Sequence, residues 1–586
     1  MLNNYYKNVN IVKLILNLCN YISKKRKNQL ILLLSFMVVG GVFEFISLGA
    51  IIPFLYSISN VQNLSQSKFF TNFAKIFGLS SETSIISAFA FIFILSIFFS
   101  GVLRTFNLWF SSILSSSIGA DLSKKSFHNE LHQPYIVHIN RNSSEILTLL
   151  VGCITRTILA IYSLLQISSN IFLIIFIVSA LFIINWKASV IGFVIFSTSY
   201  LVIAILSKTK LNKNSSGIYY YSKKGTKAIQ EGLGSIRDII LTENYHTFLN
   251  YFSNADTIQR KLSAENRFLN SYPRYVLESL GLGLIAFMGY IFVLNNGDNK
   301  LFIPTLGAVA LGAQRLLPSM QQIYSCWAQM NGYKSDIITV LESLNKDIEI
   351  TSNTKLKLFL RNQIILKEVD FSYGKEQSAI SKLNLTIKRG ESIGLVGKTG
   401  SGKSTTIDLI MGLLKPSSGN IYIDDFDLNK NNNFLSDWRK TIAHVPQFIY
   451  VIDGSFISNI AFGYSSQDIN LSLVKRAAKD ALIHDFIEST KKGYKSNAGE
   501  YGINLSGGQR QRLGIARTFY RIYTKHINLI VLDEATNALD SKTEKEILLT
   551  FSKMKDLTKI IISHNKNSLS FCNRIIELDA NSNKIS

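Results

Sequence analysis

A chain of 586 residues is longer than one hydrophobic core usually organises, so at least two domains are expected. With 47% hydrophobic and only 17% charged residues, and long stretches of the first half almost free of charge, the composition excludes a wholly water-soluble or disordered chain. The net charge of +23 would suit nucleic acid, but lysines crowd the flanks of apolar stretches, where anionic lipid head groups are the natural partner, and no zinc-finger spacing or RNA-binding aromatic motif competes with that reading.

The chain opens with a stretch, Ile11 to Ile22, that is apolar on one face and interrupted by Lys13. It runs into Lys24, Lys25, Arg26 and Lys27 without a small-residue cleavage site. This predicts an amphipathic helix on the inner membrane surface, within a segment 1–28, rather than a signal peptide. Crossing a bilayer takes about 20 apolar residues. Six stretches meet or approach this: Gln29 to Leu55, Ile85 to Leu103, Ile161 to Ile184, Ala188 to Leu206, Val276 to Leu294 and Leu301 to Leu317. The third and fourth, and the fifth and sixth, are joined by tight turns with little charge. The connections on the opposite side, Arg104 to Arg156 and Ser207 to Arg274, are long, basic and helical in pattern. The asymmetry predicts an all-α membrane domain over 29–343, with long cytoplasmic extensions and both termini in the cytoplasm of a cell (inner) membrane protein. Cys19, Cys153, Cys326 and Cys572 lie far apart without a CxxC pair, so neither a disulfide framework nor a metal site is expected.

Hydropathy drops over 344–355, which reads as a linker. From Leu356 the pattern is α/β, with short apolar strands at Ser392 to Val396 and Leu529 to Leu532. The first strand runs into Gly397-Lys398-Thr399-Gly400-Ser401-Gly402-Lys403-Ser404 and then Thr405, a P-loop that opens a helix. Its glycines let backbone N–H groups turn toward phosphate, Lys403 reaches the β- and γ-phosphates, and Ser404 ligates Mg²⁺. The strand Ile530-Val531-Leu532 ends in Asp533, facing the metal, and Glu534, facing the water that attacks the γ-phosphate. Leu505-Ser506-Gly507-Gly508-Gln509 precedes a helix from Arg510 to Phe519 and reads as another anion site.

Here the sequence resembles the ABC ATPase family, whose signature is that pentapeptide. Further motifs fall in order: Tyr373 matches the aromatic that stacks on adenine, and Gln447 the glutamine that contacts Mg²⁺. Asn537-Ala538-Leu539-Asp540 matches the loop joining two ATP sites, and His564 the histidine that steadies the γ-phosphate. The resemblance implies an α/β P-loop ABC ATPase domain with a helical subdomain over 356–586, with ATP and Mg²⁺ as cofactors. ATP would lie between the P-loop of one chain and Ser506, Gly507, Gly508 and Gln509 of a second, in a homodimer or a heterodimer. Asn537 departs from the usual serine, Asn565 from the usual arginine and Asn573 from a common aspartate.

The membrane half resembles ABC exporters, and among them the polysaccharide-type group that includes lipid-linked oligosaccharide flippases. The resemblance rests on Glu44 with Pro53-Phe54-Leu55, Gln133-Pro134-Tyr135, Ser144-Glu145-Ile146-Leu147, Pro273-Arg274 with Glu278, and Arg315-Leu316-Leu317-Pro318. It implies ATP-driven flipping of a lipid-linked glycan. Export of peptide, drug or lipid is the alternative, and a soluble-type ABC ATPase or an ATP-gated channel a remote one. Counting along the helices sets Glu44 past the bilayer midplane and Arg315 nearer the cytoplasmic leaflet. Either charge could meet cargo or lock helices together, whereas Arg274 and Glu278, four apart, read as a local pair.

Overall fold

The computed structural model describes residues 9–59, 75, 82–184, 186–294, 302–346, 348, 360–374 and 378–578. Two compact units emerge: one of residues 1–132 and 141–347, the other of residues 133–140 and 348–586.

The first unit is helical. Its long helices are Lys24–Ser59, Glu82–Leu131, Ile154–Ile184, Trp186–Gly234, Tyr245–Leu294 and Phe302–Gly332. Among the described residues four segments, Lys24–Ile51, Thr83–Leu131, Ser143–Ile183 and Ser189–Gly234, are long and apolar enough to cross a membrane. The fifth and sixth expected spans fall on the Tyr245–Leu294 and Phe302–Gly332 helices, where much of the apolar stretch lies outside the described side chains. Close helix approach is built on small residues. A Cβ on Gly41 would stand 2.2 Å from the Phe176 ring, and one on Gly119 2.2 Å from Ile158.

The amphipathic helix Ile11–Leu18 buries Ile11, Leu14, Ile15 and Leu18. Their partners are protein: Leu114, Ile118 and Leu122 of the Glu82–Leu131 helix and Ile337 and Leu341 of the Lys334–Leu344 helix belong to the same apolar cluster. The face expected to meet lipid is therefore covered by the chain itself. The expected linker 344–355 lies largely outside the described residues.

The second unit is α/β. An antiparallel sheet has the order β2 (Ser378–Lys388), β1 (Gln363–Ser372), β4 (Ser418–Ile423), β5 (Phe426–Asp427). A second sheet, parallel throughout, has the order β6 (Ile442–Val445), β7 (Leu529–Asp533), β8 (Thr558–Ile562), β3 (Ser392–Val396), β9 (Arg574–Glu577). Strand β7 is apolar up to its final aspartate, and β7 and β8 are buried on both faces for almost their whole length, as a covered parallel sheet requires. The helix Tyr135–Asn140 belongs to this unit, with Ile136 against its core.

Candidate functional site

The carboxyl ends of β3, β6, β7 and β8 converge, and ligands of open parallel sheets bind at that edge. Four sequence motifs leave from it: the P-loop after β3, Gln447 after β6, Asp533 and Glu534 at the end of β7, and His564 after β8.

The P-loop carries Gly397, Gly400 and Gly402 at φ of 148°, 84° and 88°. At Gly397 the need for glycine is steric as well as conformational, since a Cβ would lie 2.3 Å from the Leu578 carbonyl oxygen. Gly402 caps the Lys403–Ile410 helix, whose first N–H groups have no intrahelical partner and point to the loop's concave side. Lys403 is buried, and its Nζ donates to the carbonyls of Gly397 at 2.7 Å and Lys398 at 2.9 Å, which curls the loop around its own cation. The Ser401 hydroxyl is buried without a hydrogen-bond partner. A cradle of N–H groups, a lysine and an orphaned hydroxyl fits a polyphosphate.

Asp533 is pushed upward in pKa by burial and then by the neighbouring Glu534, with Lys403 opposing. Burial, and then Asp533, raises Asp408 to about 6. Carboxylates held this way fit a divalent cation, and Ser404, Asp533 and the Gln447 carbonyl oxygen are hard oxygen donors of the kind Mg²⁺ takes. Gln447 uses its other atom: Nε2 donates to Glu534 Oε2 at 2.8 Å. Asn537 Nδ2 donates to the same oxygen at 2.8 Å, and His564 Nε2 lies 3.5 Å from Oε1. Tyr373 stands against Phe371 edge-on, and its hydroxyl is 3.1 Å from that of Thr405. Lys398 and Thr399 lie in the loop itself. The Asn537 contact is one that motif reading did not supply.

The signature folds as a capping box. The Ser506 hydroxyl accepts from the Gln509 N–H at 3.2 Å, and Gln509 Oε1 accepts from the Ser506 N–H at 2.9 Å, starting the Gly507–Thr524 helix. Gly508 is required by a close approach: a Cβ there would lie 2.9 Å from the Ala538 carbonyl oxygen.

In the membrane unit, Glu44 and Arg315 meet. Glu44 is 1% exposed; its Oε1 receives Arg315 Nη1 and, at 3.0 Å, Arg104 Nη2, while Ser100 donates to Oε2. Arg315 Nη1 also binds the Ser47 hydroxyl at 2.8 Å. Counting along the sequence placed the two charges at different depths; their side chains nevertheless meet. Arg104 reads in the sequence as the end of a span and is in fact the second cation of this cluster. Arg274 pairs locally with Glu278 at 2.7 Å.

Residues 380–537 match the ABC transporter family. The chain is 26% identical over 530 residues to the ATP-dependent lipid A-core flippase of Saccharophagus degradans, covering 86% of this chain and 85% of that protein. It is 27% identical over 382 residues, 64% of each chain, to the glutathione/L-cysteine transport system ATP-binding/permease protein CydD of Bacillus subtilis. A bacterial Atm1-family ABC exporter, solved with ATP bound, superposes with a TM-score of 0.74 at 20% identity over 93% of both chains. The chain is built as an ABC exporter half-transporter. In this half-transporter a helical membrane unit is fused to one ABC ATPase, so ATP hydrolysis is coupled to transport across the membrane in which its apolar helices lie.

Proposed function

We propose that the half-transporter works as a dimer that flips an anionic, lipid-linked glycan from the cytoplasmic to the outer leaflet. The observation that carries the cargo class is the intramembrane cluster of Glu44, Arg104 and Arg315, which holds two cations against one carboxylate. A charge inside a membrane is costly and is kept where a cavity or partner uses it. Arg104, with a side chain 42% exposed, is the cation with room to meet a phosphate next to a lipid tail, while Glu44 and Ser47 hold Arg315. Relatives named as lipid A-core flippases support this direction. The relative named for glutathione and cysteine transport favours a second reading, export of a small anionic solute, which the same excess cation would also suit.

Dimerisation is supported by what each unit leaves uncovered. The ATPase unit exposes Phe448 and Ile503, and the ends of the Ile236–Thr242 and Tyr245–Leu294 helices expose Leu241 and Tyr245. Exposed apolar side chains of this kind are available to a second copy. We place six spans in the membrane unit, with both termini and the ATPase in the cytoplasm. Each ATP site takes its P-loop, Tyr373, Gln447, Asp533, Glu534 and His564 from one chain. Ser506, Gly507, Gly508 and Gln509 come from the other.

Mechanistically, Lys403 and the loop N–H groups bind and orient the phosphates, and Tyr373 receives the base. Mg²⁺, when bound by Ser404, Asp533 and Gln447, neutralises phosphate charge. Glu534 orients the attacking water with Oε1, the oxygen that carries no amide donor, and His564 sits beside that oxygen.

The test is flipping of a fluorescent lipid-linked oligosaccharide in reconstituted vesicles. ATP-dependent loss of label from the leaflet on the ATPase side is expected with the unmodified protein. Glu534→Gln should bind ATP yet turn over at least about a hundredfold more slowly. No flipping by the unmodified protein rejects the substrate class, and near-normal turnover by Glu534→Gln rejects the hydrolytic role.

A further inference from the structure

We infer that Asn537 is a positioning residue for ATP hydrolysis, acting through Glu534; the inference rests on the role proposed for Glu534 above. Asn537 is the residue that departs from the serine usual in the family the chain resembles, and no step of the mechanism above uses it.

Glu534 is a group that needs holding. Its backbone lies at φ 48°, in the left-handed region that a long side chain adopts at a cost. Its main chain is tied at three points: its N–H donates to the Ile562 carbonyl at 3.0 Å, and its carbonyl accepts the Asn537 N–H at 3.4 Å and Gln511 Nε2 at 3.5 Å. The carboxylate could still turn about its last bond. Gln447 alone, reaching in from the end of β6, gives one point of attachment at 2.8 Å. Asn537 adds a second donor to the same oxygen, also at 2.8 Å, from a turn whose backbone is already closed on Glu534. Two amides on Oε2 fix the plane of the carboxylate and leave Oε1 as the oxygen presented on the side of His564.

The residue type matters for reach. The asparagine Nδ2 stands one bond further from the backbone than a serine hydroxyl, and it is a donor that cannot turn into an acceptor toward the carboxylate. Serine on the same backbone would stop short of Oε2 unless the turn moved. A hydrogen bond to an ionised group is among the stronger ones, so its loss should be visible in the rate.

The experiment is steady-state ATP hydrolysis by the full-length protein in lipid nanodiscs, comparing Asn537→Ala, Asn537→Ser and Asn537→Asp. Asn537→Ala is expected to lower kcat about tenfold, which corresponds to about 1.4 kcal/mol of barrier, with KM for ATP within twofold. Asn537→Ser should fall between it and the unmodified protein. Asn537→Asp, which faces a carboxylate with a carboxylate, should be the slowest of the three. Single-turnover hydrolysis in the Glu534→Gln background separates the two readings. If Asn537 acts through Glu534, adding Asn537→Ala there changes the rate less than twofold, whereas a merely structural effect would repeat its full loss. An unchanged kcat for Asn537→Ala, a KM that rises in step with the fall in kcat, or a full loss repeated in the Glu534→Gln background each overturns the inference. Near-normal turnover by Glu534→Gln itself would overturn the Glu534 assignment instead, so the two failures are told apart.

Discussion

Replacing Glu130 with glutamine should loosen the membrane unit where the chain leaves and re-enters it. Glu130, near the end of the Glu82–Leu131 helix, is 2% exposed and holds Lys346 Nζ at 2.8 Å, the Ser343 hydroxyl at 2.9 Å and the Arg141 guanidinium. Arg141 continues the chain of charges to Glu145 at 3.0 Å, and Glu145 to Lys223. Breaking a buried ion pair costs about 3–5 kcal/mol. Here Arg141 keeps Glu145, Lys346 is a quarter exposed and reaches water, and Ser343 can still donate to the amide, so about 2 kcal/mol is expected. That corresponds to a drop of about 4 °C in the thermal midpoint of the protein in detergent at pH 7.5. The pH dependence gives a second check. Burial pushes the Glu130 carboxyl up, but its hydrogen bonds to Lys346 and Ser343 and the charge of Arg141 more than reverse this and hold it below the usual carboxylate range. A folded-state value below the unfolded one means that the stabilisation is complete above about pH 4.3 and fades as the pH falls through the folded value. The gap between the two proteins should therefore be full from pH 6 to 8 and shrink toward zero in acid. Equal midpoints at pH 7.5, or a gap that persists in acid, would refute the reasoning.

Lys403→Ala should weaken ATP binding at least about tenfold, because the phosphates lose the cation that the loop is curled around; unchanged affinity by isothermal titration would contradict the P-loop assignment. Glu44→Gln should destabilise the membrane unit more than Arg104→Gln, by about 3 kcal/mol against about 1, since the first leaves two cations short of a counter-charge and the second removes one that is partly exposed. Thermal midpoints in detergent check the order, and the reverse order would show that Glu44 is not the hub.

How much of this was legible in the sequence depended on whether the relevant residues are neighbours along the chain. The P-loop and the Asp533-Glu534 strand end are each contiguous, so spacing alone points to a phosphate and metal site, and the parallel sheet brings them to one edge. The amphipathic helix expected near the start forms at Ile11–Leu18, but which of its apolar residues meet protein was not legible, because a stripe that suits a lipid surface equally suits a protein groove. Arg104, Glu130 and Arg315 were visible as charges, but Arg104 and Arg315 lie 60 and 271 positions from Glu44 and Glu130 lies 216 from Lys346, and no local period encodes such pairs. Asn537 was visible as a departure; what it touches follows only from the turn that brings it back to Glu534.

That turn also bears on how two ATP sites in the proposed dimer would act together. Ser506 and Gln509 spend their side chains on capping their own helix, which leaves the N–H groups at Gly507 and Gly508 as the signature's offering to the partner's phosphate. Gly508 has that position only because it lacks a Cβ, which would meet the Ala538 carbonyl oxygen at 2.9 Å. Ala538 in turn donates its N–H to Gln511 Oε1 at 2.8 Å, and its neighbour Asn537 holds Glu534. One short loop thus touches Glu534 and lies against Gly508. A backbone shift at Asn537 that frees Glu534 would also move Ala538, and with it the floor beneath Gly508. The coupling between the two sites would then run within each chain through Glu534, Asn537, Ala538 and Gly508.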